Sequence, residues 1–346
     1  MAKRLLPRYL ASSLLPIIGT IFLTLFMITS IIFSIRIASA TAVIKISLAE
    51  FIKLYALLVP QILSYTLPLS FFAGTVIGLA RLSSDMESIV LFTLGARPKH
   101  LLWPLVGSGL LLSVLMLVVT LVLIPMSKYD IKIFMEQKKV DAELNFRPSE
   151  LGQKFGDWMI FANDKKGALY KDLVLYYERP NEAALIAAKE AQLSTLHGSV
   201  ALEARQGIAY HLPGSLESDP NRVLTQIEFD SMRILRHISP KEIAFWDILS
   251  YWQSAKGDRN RAKDFAVAVM IGAMPFLLSP LALALGIINP RYQKNRSHWM
   301  VLGIASLYFA SMFLIASYSF TGLVLTLLLW FMVGWWRLWR VTFKRY

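Results

Sequence analysis

The 346-residue chain contains no cysteine, which excludes disulfides, thiolate metal sites and cysteine nucleophiles. Other chemistry is missing too. No Gly-x-x-x-x-Gly-Lys-Ser/Thr loop occurs, so the chain cannot hydrolyse ATP by that route. There is no His-Glu-x-x-His pair and no Gly-x-Ser-x-Gly elbow. The five histidines, His100, His197, His211, His237 and His298, show no ligand spacing and read as ordinary surface or core residues. A membrane-anchored enzyme is therefore disfavoured, and neither a metal nor another cofactor is expected. Charged residues are also scarce, at 17%, against 55% hydrophobic residues. With a mean hydropathy of +0.51, this composition points to the bilayer.

The formal net charge of +13 invites a nucleic-acid reading, but its distribution argues otherwise. Between Lys128 and Asp264 there are 20 Lys+Arg and 20 Asp+Glu, a net of zero, so the whole excess lies beside the apolar runs. A nucleic-acid binder concentrates charge on a folded face. Charge at the ends of spans instead sets membrane orientation.

Crossing the hydrocarbon takes about 20 apolar residues. Leu14–Ile35, Phe51–Ala80, Leu101–Ile124 and Phe265–Ile288 each satisfy this. The run Trp299–Trp336 is too long for one crossing and contains Ser317-Tyr318-Ser319 and Thr321-Gly322, a natural turn, so two short spans are expected there. The total is six, arranged three and three. Ala38-Ser39-Ala40 resembles a signal-peptidase site, yet the apolar run before it exceeds the usual signal-peptide core of about 7–15 residues, so a retained anchor is expected.

Lys3, Arg4, Arg8, Arg81, Arg97, Lys99, Arg291, Lys294, Arg296, Arg337, Arg340, Lys344 and Arg345 all fall on one side of a six-span layout. The positive-inside rule makes that side, and both termini, cytoplasmic. Asp and Glu are absent from the spans apart from their edges, which disfavours ion-coupled transport. Energy for any transport would have to come from another chain. The Trp330, Trp335, Trp336 and Trp339 cluster beside Arg337 and Arg340 reads as an interfacial anchor.

The neutral segment, from about Ser127 to Asp264, is expected outside the cytoplasm, with residues 127–238 as a β domain. Short runs with period-two alternation occur at Trp158–Ala162, Leu173–Tyr177, Leu185–Leu193, Val200–Glu203, Ile208–Leu212 and Val223–Asp230. Turn clusters separate them, including Gln206-Gly207 and Pro213–Asn221. Six or more strands at this spacing suggest a β-sandwich or jelly roll. Ser239-Pro240-Lys241-Glu242 carries the N-cap, proline and glutamate of a helix start, so residues 239–264 are expected to form a connecting helix back to the membrane. Residues 1–126 and 265–346 then hold the two sets of spans.

The chain does something unusual between its second and third spans. Behind Arg81, Ser84 and Glu87 have capping-box spacing, with Asp85 in the first turn. Ile89, Val90, Leu91, Phe92 and Leu94 follow, then Gly95 suits a C-cap and Pro98 stops the helix. A short helix over about 84–95 is expected at the cytoplasmic end of the second span. Glu87 has two readings: a cap alone, or a contact with a cytoplasmic partner. Pro60 and Pro68 each remove a helix hydrogen bond and kink the second span.

The pattern Val59-Pro60, Leu67-Pro68-Leu69-Ser70, Phe72, Gly74, Leu79, Arg81-Leu82, Glu87 and Gly95 resembles the lipopolysaccharide-export permease family LptF/LptG (YjgP/YjgQ-like). The layout of three spans, an outside β domain and three more spans resembles it along the entire chain. The resemblance implies an inner-membrane permease of an ATP-binding-cassette transporter, with one F and one G subunit on a dimer of LptB-like ATPase. It implies that the short helix docks in that ATPase, with Glu87 in the contact. Arg81, Asp85, Phe92, Gly95 and Arg97 are the neighbours expected to share the coupling. It also implies a lipopolysaccharide substrate entering a cavity between the subunits and passing through the periplasmic β domain to an LptC/LptA-like bridge. A phosphorylated amphiphile needs cations at the cavity rim. Arg36, Lys45 and Lys53 are the candidates by position, although snorkelling at span ends explains them equally. One alternative is a permease of the same class moving another amphiphile. Another is an FtsX-like transducer that moves an outside domain without transport, and would tolerate neutralising those three cations.

Overall fold

The computed structural model describes residues 2–41, 46–93, 98–143, 153–155, 158–166, 169–179, 182–196, 199–213, 225–237, 248–254, 257–288, 296–316 and 319–343. They form two compact units. The helical unit holds α1 (Ala2–Thr41), α2 (Leu48–Ser84), α3 (Glu87–Thr93) and α4 (Pro98–Val118). A π-turn, Val119–Leu123, joins α4 to the start of α5 (Ile124–Glu143). After the sheet unit come α6 (Ile248–Gln253), α7 (Arg259–Gly286), α8 (Ser297–Ser311) with a second π-turn (Met312–Ala316), and α9 (Phe320–Phe343).

Among the described residues, six helical stretches are long and apolar enough to cross a membrane: Leu6–Ser39, Leu48–Ser84, His100–Met135, Arg259–Gly286, Ser297–Ile315 and Phe320–Val341. The expected division of the last long run holds. Ser319 closes the break by accepting the Gly322 N–H at 3.0 Å; Ser317 and Tyr318 lie outside the described residues. α1 runs straight through Ala38 and Ser39.

Local boundaries differ from the sequence expectation in three places. First, the helix start over Ser84–Glu87 is not a capping box. Ser84 is the last residue of α2 and its hydroxyl donates back to the Ala80 carbonyl at 2.9 Å. The capping box sits at the other end of α2, where Ser47 and Glu50 exchange hydrogen bonds of 2.8 and 3.3 Å. Second, the residues from Ser127 onward open no strand, because α5 carries the third span on to Glu143. Hydropathy ends near Ile124, but Lys, Glu, Gln and Ala keep helix propensity high. Third, residues 239–264 are not one helix. Ser239 to Asp247 lie outside the described residues, α6 is a short piece, and α7 starts anew behind Asp258, whose carboxylate accepts the Asn260 N–H at 2.9 Å.

The helical core centres on α2 and α7. Phe72, Val76, Met270, Leu278, Ala282, Tyr308 and Trp330 are buried together. Helices approach closely where side chains are small, as is usual between membrane helices. A Cβ on Gly272 would lie 2.7 Å from Leu117, and one on Gly78 would lie 2.5 Å from Leu14. Polar groups are satisfied across helices. The Tyr308 hydroxyl donates to the Met270 carbonyl at 2.6 Å, and the Phe276 N–H, beside Pro275, donates to Ser113 Oγ at 2.9 Å. The Trp330 indole donates to Ser311 Oγ at 2.9 Å. Trp330 is therefore a core residue and not part of an interfacial belt; Trp335, Trp336 and Trp339 are the exposed members of that cluster.

In the second unit, β1 (Gln153–Phe155), β2 (Trp158–Lys166), β3 (Leu169–Arg179), β4 (Glu182–Leu196), β5 (Ser199–Pro213) and β6 (Thr225–His237) pair in chain order, all antiparallel, in one sheet. Ile160, Leu173, Leu175, Ile186 and Leu202 form its buried face. The expected turn at Gln206-Gly207 instead lies inside β5, where the pairing is interrupted without a change of register. Gln206 has φ 52, and neither it nor Lys189 takes a partner in the register, which passes from Ala188↔Gly207 to Glu190↔Arg205. Asp172 at φ 51 interrupts β3 at the same level. The pairs on either side keep one register, so these left-handed residues interrupt the ladder without ending it, and turn chemistry appears within continuous strands. Along β6, Phe229 is half-buried while Ile227 is exposed, so the alternation expected there is only partly realised. Glu203 and Arg233 face each other across β5 and β6, with Arg233 Nε donating to the carboxylate at 3.1 Å. That guanidinium holds the Glu203 carboxyl below its ordinary range.

Candidate functional site

Two places on the helical unit gather charged side chains at the ends of spans. The first is the basic end, where α2 passes into α3. Asp85 caps α2 by donating its N–H to the Arg81 carbonyl at 2.9 Å, and its carboxylate lies 3.8 Å from Arg81 Nε, both side chains exposed. An exposed pair of this kind adds little stability, so its use is in what it presents. Met86 then turns the chain with φ 63, a conformation rare outside glycine. The seven residues of α3 follow, far too few to hold a helix in isolation.

Packing supplies what length does not. Phe92 lies against a cluster that includes Leu10 and Leu14 of α1, Leu79 and Leu82 of α2, Leu101, Leu102 and Leu105 of α4, and Leu283 of α7. Val90, by contrast, is exposed. Glu87 is half-buried, and its carboxylate accepts a hydrogen bond from the Tyr9 hydroxyl of α1. The end of α2 is fixed to α7 as well, because buried Ser83 donates to the Gly286 carbonyl at 3.1 Å. Of the six coupling candidates, Arg81, Asp85, Glu87 and Phe92 are thus brought together in one turn and the helix behind it. Gly95 and Arg97 lie outside the described residues.

The second place is the opposite end of the same bundle. Arg36 of α1 and Lys53 of α2 are both exposed there, while Lys45 lies outside the described residues. Arg36 shares the electrostatic surroundings of Tyr65 with Lys128 and Asp264. Lys128 of α5 pairs with Asp264 of α7 at 3.0 Å, each side chain about half exposed. The pair borders a cavity of about 90 Å³ lined also by Gln61, Ser64, Tyr65 and Trp252. The π-turn shapes this wall. It leaves the Leu121 carbonyl to accept the Trp252 indole N–H at 2.8 Å, and aims Thr120 Oγ1 at the Ala268 carbonyl at 3.0 Å. Pro60 and Pro68 sit within α2, which remains a single helix around them.

Sequence reasoning did not find Tyr9, Lys128 or Asp264. Tyr9 precedes the first apolar run among basic residues, and nothing local marks it. Lys128 and Asp264 bound the neutral segment at its two ends, a position that marks them only once the spans are seen side by side.

Among the described residues, no cluster of three or more acidic or histidine side chains could hold a metal ion. No curated protein matches the chain. A family model does match, that of the lipopolysaccharide export system permease LptF/LptG, over residues 8–340. With six apolar helices, a β-sheet unit inserted after the third and a match over nearly its whole length, the chain belongs to the LptF/LptG family of lipopolysaccharide export permeases.

Proposed function

We propose that this chain is one permease subunit of an ATP-binding-cassette transporter that lifts lipopolysaccharide out of the inner membrane, driven by a separate LptB-like ATPase dimer. The observation that carries the reading is α3. A seven-residue helix is set off from its spans by a strained turn, packed from behind through Phe92, and exposes Val90 on the other side. A chain with no ATP-binding loop needs such an element to receive motion from a partner. Arg81, Asp85, Glu87 and Phe92 form the coupling surface, continued by Gly95 and Arg97.

At the opposite end, Arg36 and Lys53, with Lys45 between them in the chain, meet the phosphates of the lipid at the cavity rim. Guanidinium and ammonium groups suit that task. Pro60 and Pro68 are the points at which the second span yields as the cavity between this subunit and its F- or G-type companion opens and closes. The sheet unit stands in the periplasm and passes the lipid to an LptC/LptA-like bridge. Both termini are cytoplasmic, and the chain itself is not catalytic.

The test is capture of the ATPase by the detergent-solubilised chain, wild type against Glu87→Arg. The wild type is expected to co-purify with an ATPase, and the charge reversal to lose it by at least about tenfold, as for a close charge pair turned repulsive. Equal capture by both would remove Glu87 from the contact. No capture by the wild type would end the transporter reading.

A further inference from the structure

We propose that Tyr9 is a positioning residue that ties α1 to the coupling helix, so that a displacement of α3 is carried directly into the first span. The inference rests on the coupling role of α3 proposed above. The Tyr9 hydroxyl donates to the Glu87 carboxylate, joining residues 78 apart in the chain. A bond from a neutral donor to an ionised acceptor is stronger than one between neutral groups. A second contact lies further along α3. Leu6 and Leu10, on the neighbouring stripe of α1, share a cluster with Phe92. Two contacts, one at the first residue of α3 and one five residues on, hold the short helix in position and orientation against α1. The covalent link to α2 is only Asp85 and Met86, with Met86 in the left-handed region. α3 is therefore held from the side by α1 as well as from behind by its own turn.

Most of the rest of α1, buried Ser30 and Ile37 apart, is built differently from this clamped end. Leu10 and Leu14 are buried, whereas Leu23, Met27, Ile28, Ile31, Ile32 and Ile35 are exposed. Pro16 lies between the two regions and leaves the Ser12 carbonyl without its helical donor, a natural pivot. Arg36 rides on the same helix, about 40 Å beyond Tyr9 at 1.5 Å per residue. A movement received at Glu87 thus reaches the cation proposed to meet the lipid without passing through the tightly packed α2 and α7.

The absence of cysteine makes the test direct. In the complex of the chain with its companion subunit and the ATPase, spin labels at Ile35→Cys and Asn260→Cys report the position of α1 against the start of α7. Lipopolysaccharide released from proteoliposomes per ATP hydrolysed is measured on the unlabelled complex. ATP is expected to shift the label distance in the otherwise wild-type chain. Tyr9→Phe is expected to keep ATPase capture and ATP turnover within about twofold, to abolish the shift, and to lower lipid release per ATP about tenfold, the ratio that loss of one charge-assisted hydrogen bond corresponds to. Tyr9→Leu, which keeps helix propensity and apolar bulk, is the second variant and should behave alike. An unchanged shift and unchanged release in both variants would refute the link while leaving the coupling helix intact. Loss of ATPase capture on Tyr9→Phe would also refute it, making Tyr9 part of the docking surface. If the wild type captures no ATPase, the parent reading has failed and takes this one with it.

Discussion

α1 and α7 are spans of nearly equal mean hydropathy, 2.3 and 2.1, yet 6% of the apolar window of α1 is buried within the chain against 78% for α7. Hydropathy alone says that both belong in the bilayer. It does not say which is surrounded by protein and which by lipid or a partner. What separates them is side-chain size and polarity at the contacts. α7 brings Gly272, Ala266, Ala268, Ala282, Ala284 and Gly286 to its neighbours, which lets backbones approach closely. It also accepts the Tyr308 hydroxyl and the Thr120 hydroxyl on its carbonyls. α1 offers Leu, Ile and Met along its exposed stripe, residues equally content in lipid. A bare apolar helix beside a packed one fits the proposal that this chain is one half of an assembly.

The comparison breaks first at Gly272. Gly272→Leu would press a side chain into Leu117 and should destabilise the helical unit by about 2–3 kcal/mol, read as a lowered melting temperature in detergent. A variant as stable as the wild type would show that α7 is not the packed axis of the bundle. Tyr308→Phe tests the polar part of the same contrast. Removing one buried interhelical hydrogen bond should lower stability by about 0.6–1 kcal/mol, measured in the same assay. The smallest effect is expected on α1. Ile31→Phe should change the stability of the purified chain by less than about 0.5 kcal/mol, because Ile31 is largely exposed. Repeating that measurement on the assembled transporter sharpens the comparison, since a loss there and not in the isolated chain would place the companion on this stripe.

The sequence carried most of the architecture and only part of the site. The number of spans follows from runs of apolar residues. The break after Ala316 and the placement of the insert follow from short local patterns. The strands were legible individually, but their ends were not. Gln206-Gly207 has turn composition but lies inside β5, because a left-handed residue can be accommodated within a ladder that keeps its register as well as between strands. Ser84 likewise has N-cap spacing to Glu87 and is used as the last residue of α2. The α2 helix ran one turn further than its hydropathy, and Glu87 then took a partner from another helix instead of a cap.

By itself the sequence determined what depends on neighbours in the chain: six spans, a neutral inserted segment, a basic end with a short helix in it, and the family these patterns share. Partitioning into lipid is close to additive along a run of residues, so those features survive without knowledge of any contact. Only the tertiary structure decided that Tyr9 meets Glu87, that Lys128 meets Asp264 across 136 residues, and that α7 and not α1 is the buried helix. Each depends on how helices rotate and how closely they approach. That is set by small residues and hydrogen bonds acting between distant segments, where composition and period leave no mark.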